Sequence, residues 1–322
     1  MLRYVIYKCR KGCEIVPLPL VSVLIPTYNR PIYFKEALES VLAQKYQNIE
    51  IVICDDSTND ETYLIAAPLA TSFPNIRYYK NNENLGGIRN FQAAFLRARG
   101  EYINFLMDDD LFHPQKISKM MRYYLQDHEQ KIKLITSYRQ PIDGKGNFIS
   151  DFEFTRKRYL SPTTIDGIEA GTSMIIDSNW IGEPTTPLFR KRDLQGAFGT
   201  FNGHQYHSAV DMASWLTLSA QGSVLYIPDT LSYLRMHEDN IGKNIHMKFY
   251  SAHDWFHMIF FAPRRGFLGD PKQLMESAKG CLKYILFIYD TFSNEYDEAK
   301  KRTLKFYAIC LIKRIKELVK TI

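Results

Sequence analysis

Cysteine is scarce in this sequence: Cys9, Cys13, Cys54, Cys281 and Cys310 are the five in 322 residues. An odd number at sparse spacing argues against a disulfide framework and fits a reducing compartment. Cys9 and Cys13 form a lone CxxxC with no second Cys/His pair in register, so they do not read as a zinc site. Long apolar runs are missing too. Nothing approaches the roughly 18 residues of a membrane-spanning helix. The opening "MLRYVIYKCRKGCEIVPLPL" lacks the apolar core of a secretory signal, so the expectation is an intracellular protein. There is no Walker loop and no GxGxxG, which weakens the P-loop NTPase and dehydrogenase readings. There is no HExxH around His204 or His207, so neither is read as a zinc ligand. Internal repeats and low-complexity tracts are absent. A net charge of +6, from 41 Lys and Arg against 35 Asp and Glu, is too mild and scattered to argue for nucleic acid.

What is present is an ordinary globular composition, with 45% hydrophobic and 24% charged residues. From Val21 the pattern becomes regular. "VSVLIP" (21–26) reads as a buried strand, "PIYFKEALESVLAQ" (31–44) as a helix with apolar Phe34, Ala37, Leu38, Val41 and Leu42, and "IEIVICDD" (49–56) as a second strand. A polar turn leads into a helix up to Pro68. "NIRYYKN" (75–81), "EYINFLMDDD" (101–110) and "KIKLITSYRQ" (131–140) read as further strands, separated by helices over 84–100 and 114–128. This alternation predicts an α/β fold, a mainly parallel sheet with helices on both faces. Beyond residue 140 it weakens. A hairpin turn is expected at 141–148, a polar loop over 150–173, an interrupted strand over 181–191, a helix over 208–222 and two short strands over 223–240. Helices follow from Met247.

In such sheets ligands bind outside the carboxyl ends of the strands. Thr27-Tyr28-Asn29, Asp55-Asp56-Ser57 and Asp108-Asp109-Asp110 all fall there. Three adjacent aspartates repel one another, and a hard divalent cation shared with a substrate phosphate would relieve that repulsion. The alternative is a solvated acidic turn. Asp56 suits either a hydrogen bond to a nucleoside or the cap of the next helix. Gly86 and Gly87 open a helix that also carries Arg89, an arrangement that can meet an anion or simply make a turn.

Together these residues resemble the family 2 glycosyltransferases, which have the GT-A fold. The resemblance rests on "VSVLIPTYNRPIYFKEALESVLAQKYQNIEIVICDDSTNDET", on "NENLGGIRNFQAAFLRARGEYINFLMDDDLFHP" and, more loosely, on "IGEPTTPLFRK" with "DMASWLTLSAQG". It covers about residues 20–240 and is strongest in the first half. Members often read Asp-x-Asp-Asp at the metal strand, whereas Met107 holds the leading position here. The resemblance implies a Rossmann-like GT-A domain with a C-terminal helical extension. Its parts would be an N-terminal extension (1–19), a nucleotide-sugar-binding half (20–140), an acceptor-binding and catalytic half (141–245) and a helical region (246–322).

It also implies roles. Thr27 and Asp56 would contact the nucleobase, Asp108 the ribose or metal shell, and Arg89 the diphosphate or base. Asp109 would be the principal protein ligand of Mn²⁺ or Mg²⁺, with His237 a later contributor. Asp211 would be the catalytic base of an inverting transfer, taking the acceptor proton as the bond forms. Glu183 competes for the base or acceptor-binding role. Trp215 lies four residues after Asp211, on the same helical face, and suits either sugar stacking or the core. The implied activity moves a sugar from a nucleotide-sugar donor, UDP-linked by preference, to a saccharide or lipid-linked saccharide, as in bacterial surface polysaccharide synthesis. A silent nucleotide-sugar-binding or scaffold protein is the rival, suggested by Met107. A nucleotidyltransferase would need a Gly-rich basic loop after the first strand, where this chain has "PTYNRP".

The tail "AKKRTLKFYAICLIKRIKELVKTI" (299–322) carries eight Lys/Arg and the single acid Glu317. Leu304, Ala308, Leu311, Ile315, Leu318 and Ile322 recur at helical spacing. Such a helix either packs its stripe on the domain or lies on the anionic inner face of a membrane. The expectation is thus a cytoplasmic protein with peripheral membrane contact as one option. Oligomeric state is not legible.

Overall fold

A computed structural model describes residues 4–9, 12–237 and 245–322, with side chains from Pro17 onward. The side chains of Cys9 and Cys13 therefore lie outside the described residues, as do residues 238–244. Strands β1 (Tyr4–Cys9) and β2 (Gly12–Pro17) form an antiparallel hairpin. The alternation that follows is β3 (Val21–Thr27), α1 (Pro31–Leu42), β4 (Ile49–Asp55), α2 (Glu61–Ser72), β5 (Ile76–Lys80), α3 (Gly87–Arg97) and β6 (Tyr102–Phe105). Then come β7 (Leu111–Phe112), α4 (Lys116–Gln126) and β8 (Ile132–Asp143). The next stretch holds β9 (Thr163–Ile165), α5 (Gly167–Ile176), β10 (Leu188–Arg190), β11 (Thr200–Phe201), β12 (His204–Gln205), α6 (Val210–Ser219) and β13 (Ser223–Met236). Helices α7 (Ile245–Phe261), α8 (Pro271–Phe292) and α9 (Glu298–Val319) complete the order.

The chain divides into two compact units. The first comprises Met1–Thr164, Ile181–Phe198 and Ser223–Met236. Its main sheet runs β5-β4-β3-β6-β10-β8-β13-β7. Strands β5, β4, β3 and β6 are mutually parallel, whereas β10 runs antiparallel to both β6 and β8. Every residue of β3 and β4 is buried, as strands covered on both faces require. Helix α1 starts at Pro31, where a missing N–H costs nothing, and buries Phe34, Ala37, Leu38 and Val41. Phe34, Leu38 and Val41 each contribute about 1.5–3 kcal/mol of transfer free energy. The strand order reverses between β3 and β6, and that switch point leaves a crevice outside their carboxyl ends. At the other end of these strands Gly100 presses on β3. A Cβ there would lie 2.6 Å from the Ser22 nitrogen and 2.8 Å from the Leu20 carbonyl, so only glycine fits.

Several elements differ from the sequence expectation. Strand β6 ends at Phe105, so Asp108–Asp110 stand in a turn beyond the strand, closed by Asp110 N donating to Met107 O at 3.2 Å. Helix α2 continues through Pro68 to Ser72. Residues 223–236 form one strand rather than two, with shifts of register around Ile227, Thr230 and Ser232. Pro228 lacks a ladder donor, and the strand bulges there instead of stopping.

The second unit comprises Ile165–Trp180, Gly199–Gly222 and His237–Ile322. Helix α5 takes up the end of the segment expected to be a loop, residues 167–173. Asp166 caps it, its carboxylate accepting from Ile168 N and Glu169 N. A Cβ on Gly167 would meet the Ser219 and Gly222 carbonyls at about 2 Å, which explains a turn-like Asp-Gly at a helix start. Strands β11 and β12 form a short hairpin. Helix α9 buries Leu304, Tyr307, Leu311 and Leu318 but exposes Phe306, Ile309 and Ile312.

Candidate active site

The crevice is built from short loops leaving β3, β4 and β6. Thr27 and Asp55 are register partners at the ends of β3 and β4, and Asp56 N donates to Thr27 O at 2.9 Å. Thr27 is buried and Tyr28 is half exposed. Asn29 adopts a positive φ of 52°, and its side-chain oxygen accepts from Thr58 N at 3.0 Å. An amide tolerates this left-handed geometry where most residues do not. The two loops are thus tied together by the residues that end the strands.

Asp56 has a defined structural task. Its carboxylate accepts from Leu85 N at 2.8 Å, Gly86 N at 2.9 Å and Asn81 Nδ2 at 3.0 Å. These bonds hold the 81–86 loop ahead of α3, while α2 takes Asp60 as its N-terminal boundary residue. Asp56 therefore does not cap α2. Three of its roughly four lone-pair sites are taken, which leaves one for a ligand. Gly86, at φ 76°, permits the turn that brings two successive N–H groups toward one carboxylate. Arg89 is exposed on the first turn of α3.

The three aspartates differ sharply. Asp110 is wholly buried and built into the protein, accepting from the Thr185 hydroxyl at 2.5 Å and from Arg235 N at 2.9 Å. Burial pushes its carboxyl well above the usual range, reinforced by Asp109 and Glu183. Asp108 is also buried, and accepts from Tyr28 N at 3.1 Å. Burial and the neighbouring Asp109 push it up to about 6, against the opposing pull of Arg30. Asp109 keeps the most open carboxylate of the three. A single Arg30 Nη1 bridges the pair, 2.7 Å from Asp109 Oδ2 and 3.3 Å from Asp108 Oδ1. The site accepts a cation between these two carboxylates, and the guanidinium takes that place. Arg235 braces the turn from behind, its Nε donating to Asp109 O at 2.7 Å and its guanidinium pairing with Glu36.

Glu183 lies in the same unit, paired with Arg139 at 2.9 Å and accepting from the Thr186 hydroxyl at 2.9 Å. Lys116 is fully buried nearby, its Nζ donating to Thr186 O at 2.6 Å. Burial pushes this amine down to about 7, opposed by Glu183 and Asp110.

Asp211, Trp215 and His237 belong to the second unit. Asp211 sits in the first turn of α6. It accepts from Asn179 Nδ2 at 2.7 Å and from Met212 N at 2.8 Å, and stays partly exposed. Trp215 corrects the stacking expectation. It is 0% exposed, so neither face of its indole is open to a sugar. The i, i+4 spacing from Asp211 counts for less than the apolar packing around α6. His237 follows directly on β13 and is half-buried.

Sequence reasoning missed Arg30, Arg235, Arg139 and Lys116. Arg30 had a local signal, a lone cation three residues past the end of β3 in "TYNR". The other three act across sequence separations of 44 to 199 residues, which no local pattern reveals.

The family described as Glycosyl transferase family 2 matches residues 22–181. A Mycobacterium tuberculosis protein, MT1568, is 31% identical over 225 residues, covering 67% of each chain. A Nostoc protein named as a glycosyltransferase is 29% identical, covering 72% of this chain and 68% of its own. A Rickettsia felis protein named as a glycosyltransferase is 35% identical over 150 residues, and this chain spans only 23% of its length. Among solved structures, Staphylococcus aureus TarS 1–349 in complex with UDP-GlcNAc superposes with a TM-score of 0.53 at 16% identity, covering 94% of this chain and 91% of that one. The mannosyltransferase PcManGT from Pyrobaculum calidifontis, in complex with GDP-Man and Mn²⁺, gives 0.51 at 15% identity, covering 92% and 87%. By its matched segment, its relatives and its mixed, mostly parallel sheet flanked by helices, the chain has the GT-A fold and belongs to glycosyl transferase family 2.

Proposed function

We propose that the protein is an inverting, metal-dependent glycosyltransferase that moves a sugar from a nucleoside-diphosphate sugar to a saccharide or lipid-linked saccharide. The observation that carries this reading is the Asp108–Asp109 pair, held at a strand-order switch point and bridged by one guanidinium. Two carboxylates around one positive charge fit a divalent cation, and the carboxylate oxygens favour Mn²⁺ or Mg²⁺. A metal bound there supplies a Lewis acid against the charge that builds on the departing diphosphate. The donor set of this reading is Thr27 and Asp56 at the base, Asp108 at the ribose, Arg89 at the diphosphate and Asp109 as metal ligand, with His237 as a further ligand. Asp211 takes the acceptor proton, and its bond from Asn179 orients the carboxylate. Glu183 serves acceptor binding rather than proton transfer, because Arg139 already holds it as an ion pair. On this reading residues 20–140 bind the donor and 141–245 the acceptor. The nucleotide sugars bound by TarS and PcManGT support a UDP- or GDP-linked donor, with UDP preferred.

No helix among the described residues is long and apolar enough to cross a membrane. Phe306, Ile309 and Ile312 are exposed on the basic α9, which supports peripheral contact with an anionic membrane in a surface-polysaccharide pathway. The deciding experiment is calorimetric titration with UDP, GDP, TDP and CMP, with and without Mn²⁺, repeated on Asp109→Asn. Metal-dependent binding of one nucleotide, lost in the variant, is the expected outcome. Binding indifferent to metal and variant sinks the metal assignment, and nucleotide binding without sugar transfer to any saccharide acceptor favours a silent relative.

A further inference from the structure

The second unit holds a cluster that the sugar-transfer reading does not use. His204 on β12 and His253 and Asp254 on α7 bring their ligand atoms within 4.8 Å of one another. We propose that these three residues form a separate site for a zinc-type transition-metal ion, which clamps the β11–β12 hairpin to α7 and to the start of α6. The argument begins with the two imidazoles. His204 Nε2 and His253 Nε2 face each other at 3.2 Å. With metal–nitrogen bonds of roughly 2.0–2.1 Å, two ligands of a tetrahedral ion stand about 3.3 Å apart, so the pair already matches one tetrahedral edge.

Asp254 supplies the second observation. Its side chain is 0% exposed, and Oδ2 accepts from His207 N, Ser208 N and Ala209 N at 2.9, 2.7 and 2.9 Å. Oδ1, equally buried, has no hydrogen-bond partner. A buried carboxylate oxygen left unpaired is costly, and a cation beside it removes that cost. The rings are also held from behind. His253 Nδ1 is hydrogen-bonded to the Tyr307 hydroxyl on α9, and His257 stacks on His204 at 4.1 Å while bonding Tyr206. Such outer partners fix tautomer and ring orientation around a metal. Two imidazoles and one carboxylate suit Zn²⁺, with water in the fourth position, and discriminate against Mg²⁺, which prefers oxygen alone. Because Asp254 binds the N–H groups that lead into α6, the ion would also steady the helix that carries Asp211.

The sequence shows this set only in scattered form, as "HQYH" and "HDWFH", with the two facing histidines 49 positions apart. The test is calorimetric titration of the chelator-stripped full chain with ZnCl₂ in a millimolar excess of MgCl₂, which competes for sites built of oxygen donors. It is repeated on Asp109→Asn, His204→Gln and His253→Gln, with circular dichroism to check folding and Co²⁺ absorption to report geometry. The expected result is one Zn²⁺ per chain, unchanged by Mg²⁺ and by Asp109→Asn, with affinity lower by roughly a hundredfold in each histidine variant. Zinc should raise the melting temperature of the parent chain but not of folded His204→Gln, and Co²⁺ should give intense tetrahedral bands. Absence of zinc uptake, uptake that persists in folded His204→Gln, or loss of uptake in Asp109→Asn alone would each overturn the proposal.

Discussion

Arg30 and Asp109 form an ion pair at 2.7 Å, and the same guanidinium nitrogen reaches Asp108 at 3.3 Å. A fixed cation therefore competes for the position a divalent metal would take. Arg30→Met removes the competitor while keeping much of the apolar stem. Mn²⁺ affinity without nucleotide should rise about tenfold, equivalent to about 1.4 kcal/mol and in keeping with a partly exposed charge pair. Titration calorimetry in the two proteins decides the matter. An unchanged or weaker affinity means that Arg30 supports the metal site rather than occupying it.

Asp56 gives a second prediction, because its carboxylate gathers three donors from one loop. Asp56→Ala strands these donors and should cost about 2 kcal/mol by chemical denaturation. Amide exchange at Leu85 and Gly86 should accelerate before any other part of the first unit. Nucleotide affinity should fall as well, since the base contact assigned to Asp56 is removed. A variant that loses nucleotide binding with no change in stability or exchange would show instead that Asp56 acts only on the ligand.

The first half of the chain was legible because its physics is local. Buried parallel strands carry continuous apolar runs such as "VSVLI" and "IEIVIC", and the helices between them keep one apolar face, as Phe34, Ala37, Leu38 and Val41 show. The acidic strand ends were visible for the same reason. Their individual states were not. Asp110 is sequestered by Thr185 and Arg235, and Asp108 by Tyr28 N, partners 75, 125 and 80 residues away. Past residue 150 the cues mislead. Asp166-Gly167 resembles a turn yet starts a helix, because Gly167 is needed for close approach to the carbonyls at the end of α6. Pro228 resembles a break yet sits at a bulge in a single long strand. The helical stripe of α9 was legible only in part: Leu304, Leu311 and Leu318 are buried, while Ile322 is exposed.

Asp211 tests the chemical step separately from binding. Its carboxylate is held by Asn179 and by the amide of Met212 at the start of α6, a position fixed independently of any donor. Asp211→Asn should reduce kcat roughly a thousandfold, within the range for loss of a general base, and leave donor affinity within about twofold. Single-turnover rates beside nucleotide titrations give both numbers. A variant that binds donor poorly but turns over normally when saturated would remove Asp211 from proton transfer.

Lys116 makes stability depend on pH in a direction that can be worked out in advance. The amine is fully buried against Thr186 O, and burial lowers it from 10.5 to about 7. Below about 7 both folded and unfolded chains carry the proton, so the cost of burying charge is present in full. Between about 7 and 10.5 the unfolded chain holds the proton and the folded chain does not, so stability rises with pH. The limiting slope for one proton is about 1.4 kcal/mol per pH unit. Other groups titrate in the same range, among them Cys54, which burial pushes up to about 11 and whose contribution has the opposite sign. The clean observable is therefore the difference between the parent chain and Lys116→Met. Methionine fills the space of the stem without a charge, and replacing a buried charge in this way is often neutral or stabilising. Denaturation midpoints from pH 7 to 10 should show Lys116→Met most favoured at pH 7, with its advantage shrinking steadily as the parent loses its proton. A constant difference across that range would mean that Glu183 and Asp110 hold Lys116 charged throughout, and that the pair, rather than the neutral amine, is what the core contains.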